Sequence, residues 1–99
     1  MTENGLRVVA RIKATEDKIE EVKKILGGLI EPTRGEQGCV SYELLQNRQD
    51  PTDFTFVEEW ASDEAFDGHF ETEHIKNALP QLPELTSEEP DIRTYRVVG

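Results

Sequence analysis

His69, Glu58 and Trp60 are the residues whose types and spacing point to chemistry. His69 is the one group on its helix face that titrates near neutrality. On the preceding strand, alternation puts Phe54, Phe56, Glu58 and Trp60 on one side and Thr55, Val57 and Glu59 on the other. A carboxylate in line with three aromatics is odd for a pure core face. On the helix that follows, from Ser62 to about Glu71, Ala65, Phe66, His69 and Phe70 share one side at the 3.6-residue period. If strand and helix pack together, Glu58, Trp60 and His69 border one apolar pocket. Such a set suits proton transfer at a positioned imidazole. The alternative is a satisfied core histidine, with Glu58 paired to Arg11 or Arg93.

The elements that must position these residues follow from periodicity. Leu6 to Lys13 is a predicted strand, with Leu6, Val8, Ala10 and Ile12 on one face and Arg7, Val9, Arg11 and Lys13 on the other. The second face is mixed, so Val9 and Arg11 are expected to look into a partly polar cleft. Thr15 is the expected N-cap of a helix carrying Ile19, Val22, Ile25, Leu26, Leu29 and Ile30. Gly27-Gly28 weakens that helix, and Pro32 is expected to end or kink it. Cys39 to Asn47 is the second strand, with Val40, Tyr42 and Leu44 on one face. A turn around Asp50-Pro51 leads to the third strand, Phe54 to Trp60. Ser62 caps the second helix. Thr72 starts a short new helix, because continuation would place Glu73 on the apolar face. Pro80, Pro83 and Pro90 make the next stretch irregular, with Leu79, Leu82 and Leu85 stapling it down as a partial lid. Asp91 to Val98 is the last strand. The order βαββαβ is the ferredoxin-like α+β pattern, a four-stranded antiparallel sheet with helices on one face. The uncovered face is expected to meet a second copy of the chain.

Composition narrows the function. The chain has 99 residues and suits one domain over 1–99. Its net charge of −10, from 21 acidic and 11 basic residues, opposes nucleic-acid and anionic-membrane binding. Met1 to Gly5 has neither a basic nor an apolar leader segment, and no apolar run reaches the roughly 20 residues of a membrane span. These features point to the cytoplasm. One cysteine, Cys39, excludes an internal disulfide. His74 lies five residues after His69, which is not the i, i+4 spacing of a helical metal pair, and only a helix break would bring the two together. No metal is expected. His74 is expected at the pocket mouth or capping the short helix.

Glu31-Pro32-Thr33-Arg34, Gly38-Cys39-Val40-Ser41-Tyr42-Glu43, Glu58-Glu59-Trp60, His69 and His74 together resemble the antibiotic biosynthesis monooxygenase domain, from about Leu6 to Val98. The resemblance implies a homodimeric α+β barrel, with a pocket in each subunit between its own sheet and helices. The Trp-x₈-His-x₄-His spacing is similar to that of small bacterial quinol monooxygenases. Family members include oxygenases that need no flavin, metal or haem. Others degrade haem, and one branch isomerises a phosphorylated sugar. Haem degraders carry an Asn on the first strand where this chain has Arg11. Polyketide oxidisers carry an Asn and a Tyr where this chain has Phe56 and Phe66. The resemblance therefore implies a monooxygenase acting on a small aromatic with O₂ and no cofactor. His69 is its expected base and Trp60 its aromatic wall. Glu58 fixes the imidazole tautomer or holds a substrate hydroxyl, and Arg11, Phe56, Phe66, Phe70 and His74 bind substrate. An isomerase using the same histidines, or a non-catalytic ligand-binding dimer, is the alternative.

Overall fold

Strict alternation makes Leu6–Lys13 a strand, β1, with Leu6, Val8, Ala10 and Ile12 buried and Arg7, Val9 and Arg11 exposed. Three more strands, Cys39–Gln46 (β2), Asp53–Trp60 (β3) and Asp91–Tyr95 (β4), complete an antiparallel sheet in the order β2-β3-β1-β4. The computed structural model describes residues 5–99. The leader reading for Met1 to Gly5 therefore falls largely on residues outside that range. Four helices, Ile19–Gly27 (α1), Ile30–Arg34 (α2), Asp63–His69 (α3) and Glu73–Ala78 (α4), complete the ferredoxin-like α+β fold. The core lies between them and one sheet face, where Val22, Leu26, Leu29, Phe66, Ile75 and Ala78 meet Leu6, Val8, Phe54, Phe56 and Trp60. Among the described residues, no helix is long and apolar enough to cross a membrane.

Five local expectations are corrected. Thr15 is not an N-cap: its hydroxyl donates to the Leu85 carbonyl, and α1 starts three residues later than a cap at Thr15 implies. The first helix divides after Gly28 into α1 and α2. A Cβ at Gly27 would meet nothing within 4 Å, so no close approach requires that glycine. Pro32 does not end a helix but sits in the first turn of α2, where its missing N–H has no intrahelical partner to lose. At the start of β2, Cys39 opposes Trp60 and Ser41 opposes Glu59. Val40 is the extra residue of this bulge and is turned out to solvent, while Cys39 packs on the core. β4 stops at Tyr95, not Val98. Tyr95 opposes Arg7 near the beginning of β1, and beyond it the ladder has no further partner.

Candidate active site

β3 presents its inner face as the alternation requires: Phe54, Phe56, Glu58 and Trp60 are each 4% exposed or less. Glu58 does not pair with Arg11 or Arg93. Its Oε1 accepts the Trp60 indole N–H at 2.8 Å, a bond between i and i+2 neighbours on one strand face. An indole nitrogen only donates, so a buried tryptophan needs such an acceptor. Ser62 Oγ caps α3 by accepting the Ala65 N–H at 3.1 Å, and α3 then turns Phe66 and His69 onto the sheet.

His69 is buried in a ring of aromatics. Its centroid lies 5.0 Å from Trp60, 5.5 Å from Phe70 and 5.8 Å from Tyr42. Its Nδ1 lies 2.7 Å from Glu36 Oε2. The same carboxylate oxygen lies 2.7 Å from His74 Nε2. A carboxylate only accepts, so each imidazole donates an N–H to Glu36. His69 Nε2 is then the lone-pair nitrogen and has no hydrogen-bond partner among the described residues. Burial lowers the His69 pKa. The hydrogen bond and charge of Glu36 oppose that shift without cancelling it, and His74 adds to it. His69 is therefore a neutral imidazole at neutral pH, able to take a proton at Nε2.

Glu36 is the functional candidate that sequence reasoning missed. It sits in the loop between α2 and β2, 33 residues from His69 and 38 from His74, and looks like a solvated loop acid. The available signal was Gly38, two residues on. Its φ is +87°, and a Cβ there would come 2.4 Å from Ala65 Cβ on α3. The Gly38 carbonyl also accepts the Ala61 N–H at 2.8 Å. The glycine lets the loop press against the start of α3, and so delivers Glu36 to His69. His74 arrives through the expected helix break: α3 ends at His69, and Thr72 Oγ1 donates to the His69 carbonyl at 2.7 Å.

A small cavity of ≈ 50 Å³ lies inside this shell. Phe56, Glu58, Phe66, His69 and Phe70 line it, with Tyr42, Leu82 and Ile92 closing it. Three of the expected site residues are not on its wall. Trp60 is fully buried behind His69 and holds Glu58, so it supports the wall without forming it. His74 turns to Glu36 instead of the cavity. Arg11 is on the opposite sheet face, where Nε donates to Asp53 Oδ1 at 3.0 Å. The expected cleft beside Val9 and Arg11 is an open sheet surface. Burial raises the Glu58 pKa to about 7. The Trp60 N–H opposes the shift, and the Glu36 charge adds to it. Burial and the Glu58 charge raise the Tyr42 phenol, which is buried and stays neutral.

The family model described as antibiotic biosynthesis monooxygenase matches residues 5–81. The uncharacterized protein sll1783 of Synechocystis is 32% identical over 90 residues, which cover 91% of this chain and 61% of that protein. The chain thus spans about three fifths of that relative. Rv0793 of Mycobacterium tuberculosis, provisionally named a monooxygenase, is 33% identical over 79% of this chain and 76% of its own length. A crystal structure of an antibiotic biosynthesis monooxygenase superposes with a TM-score of 0.90 at 30% identity, covering 95% of this chain and 99% of the other.

Proposed function

This chain belongs to the antibiotic biosynthesis monooxygenase family, and from that premise we propose that it is a cofactor-independent monooxygenase acting on a small phenolic or quinol-type aromatic. The observation that carries this reading is the Glu36–His69 pair. It fixes an imidazole with Nδ1 committed and leaves Nε2 free in a shell of aromatic side chains. In the reaction, His69 Nε2 takes the phenolic proton. The phenolate passes one electron to O₂, and the resulting superoxide and phenoxyl radical join as a ring hydroperoxide. The O–O bond then breaks as the ring C–H proton leaves. One oxygen stays as the quinone carbonyl and the other departs as water. All four electrons come from the substrate, so the sequence needs no flavin, haem or metal.

Glu58 can serve as the second polar group of the site. Near neutrality it is partly protonated, so it can donate to a substrate oxygen or accept from a hydroxyl. Phe56, Phe66 and Phe70 supply flat apolar walls. A cavity of ≈ 50 Å³ is well below the usual 300–1,000 Å³ of ligand sites. Productive binding therefore requires the cavity to widen, and its Leu79, Leu82, Pro90 and Ile92 side is the candidate to move, since those residues also line a surface groove of ≈ 620 Å³.

The test is oxygen uptake by the purified chain over a panel of phenols and quinols, with the product identified by mass. One O₂ consumed per quinone formed is the expected result. Turnover of a substrate with no oxygen uptake would move the site to isomerisation, and no turnover of any aromatic would leave a binding protein.

A further inference from the structure

We propose that Glu36, His69 and His74 form a binding site for one divalent transition-metal ion of the zinc, cobalt or iron(II) class. The three side chains each present one ligand atom, and these atoms all lie within 4.8 Å of one another. Zinc-type sites place nitrogen and oxygen ligands about 2.0–2.2 Å from the ion, so neighbouring ligand atoms sit roughly 3.3 Å apart. The two present N···O contacts are 2.7 Å. They need to open by about 0.6 Å, and Glu36 is on a loop with rotatable side-chain torsions. Two imidazoles and one carboxylate are ligands for borderline ions; magnesium and calcium require oxygen donors.

The surroundings are those of a site and not of a chance cluster. Five-residue spacing puts two side chains well apart on a continuous helix, and here the break between α3 and α4 brings them to one atom. Thr72 holds the His69 carbonyl on the outer side. The imidazoles are inside, with side chains 5% and 21% exposed, and Glu36 is 11% exposed. A surface groove of ≈ 550 Å³, lined by Glu36, Gly38, Glu64 and Thr72, leads to the carboxylate and provides an entry path.

Occupancy changes the proposed chemistry, a consequence that rests on His69 being the base. A metal takes the Nδ1 lone pair and moves the N–H to Nε2. The nitrogen facing the substrate then donates and cannot accept, so the bound ion holds the site inactive. The metal and the phenolic proton compete for one imidazole through its two nitrogens.

The experiment is a titration of the chelator-stripped full chain with Co²⁺ at neutral pH, followed by visible d–d absorption. Saturation at one Co²⁺ per chain, displacement by Zn²⁺ and indifference to Mg²⁺ are expected. His74→Ala and Glu36→Gln, checked as folded by circular dichroism, should each weaken binding by more than about 100-fold, since loss of even a supporting residue costs 10–100-fold. Glu64→Gln and Cys39→Ser should leave it unchanged. No visible band, or a band that survives in both His74→Ala and Glu36→Gln, overturns the site. Metal binding with unaltered oxygen uptake would keep the site and count against His69 as the base.

Discussion

Glu36 shares one carboxylate oxygen between two imidazoles, and each substitution in that trio has a separate expected outcome. His69→Ala should lower oxygen uptake about 10²–10⁴-fold, the usual worth of a positioned base. Glu36→Gln keeps the shape but removes the charge that holds the tautomer. Its turnover should fall by roughly 10²-fold or more with substrate affinity little changed, as steady-state kinetics on one quinol would show. Near wild-type turnover in a folded His69→Ala would make the histidine structural. Glu58 gives a stability prediction. Its folded pKa of about 7 is raised above the ordinary 4.5, so between those values the folded chain holds more protons than the unfolded one. Stability contributed by Glu58 is full below about 4.5 and is lost as pH rises through 7. The loss is roughly 3 kcal/mol. The lowered pKa of His69 acts oppositely, costing stability as pH falls below 6.5. The comparison is therefore the difference between wild type and Glu58→Gln in urea melts from pH 4.5 to 8, and the variant should gain on wild type as pH rises. His69 and Glu58 were legible because helical and strand periods put them on apolar faces. Glu36 was not, because its partners lie 33 and 38 residues away and the one local mark, Gly38, signals a tight loop without saying what the loop meets.

The loop that carries Glu36 has a tight point at Gly38. Gly38→Ala needs an alanine at φ +87° and a methyl 2.4 Å from Ala65 Cβ, which is fixed to the α3 backbone and cannot rotate away. A cost of about 2–6 kcal/mol follows from strain and overpacking together. The loop should also withdraw Glu36 from the histidines, so a folded Gly38→Ala should show the Glu36→Gln kinetic loss as well as a lower Tm. On the other side of the cavity, residues 82–90 are pinned to the end of β1: Thr15 N–H donates to Leu85, and Ser87 N–H donates to Lys13. Leu82 lines both the cavity and the groove and is 3% exposed. Leu82→Ala should cost about 2–5 kcal/mol. Amide exchange across 82–90 should slow when an aromatic ligand saturates the site, whereas unchanged exchange would mean that the loop only staples. Element types were readable from hydrophobic period and caps. The bulge at Val40 and the end of β4 were not, because each depends on where a partner strand runs, which no local pattern encodes.

At the scale of the molecule, the sheet has one face in the core and one without cover. Val9, Leu45, Val57 and Tyr95 stand 37–48% exposed on the open face. They are interleaved with the pairs Arg7–Glu59, Arg11–Asp53 and Arg93–Asp91. All five residues of β4 are exposed, so an edge strand and an apolar patch coincide. Charged pairs satisfied within one chain can be carried into an interface, while the valines and Tyr95 gain from leaving water. The βαββαβ order was legible and already implied this exposed side, since helices on one face leave the other bare. A homodimer through this face is the expected assembly. Light scattering at micromolar concentration should give twice the 11.3 kDa chain mass. Val57→Glu is the decisive variant, because Val57 pairs with Val9 on one side and Glu43 on the other. A carboxylate there adds like charge beside Glu43 at the centre of the face, without touching the core. Val57→Glu should therefore run at the monomer mass with its circular dichroism intact. A wild-type chain that is itself monomeric would overturn the homodimer.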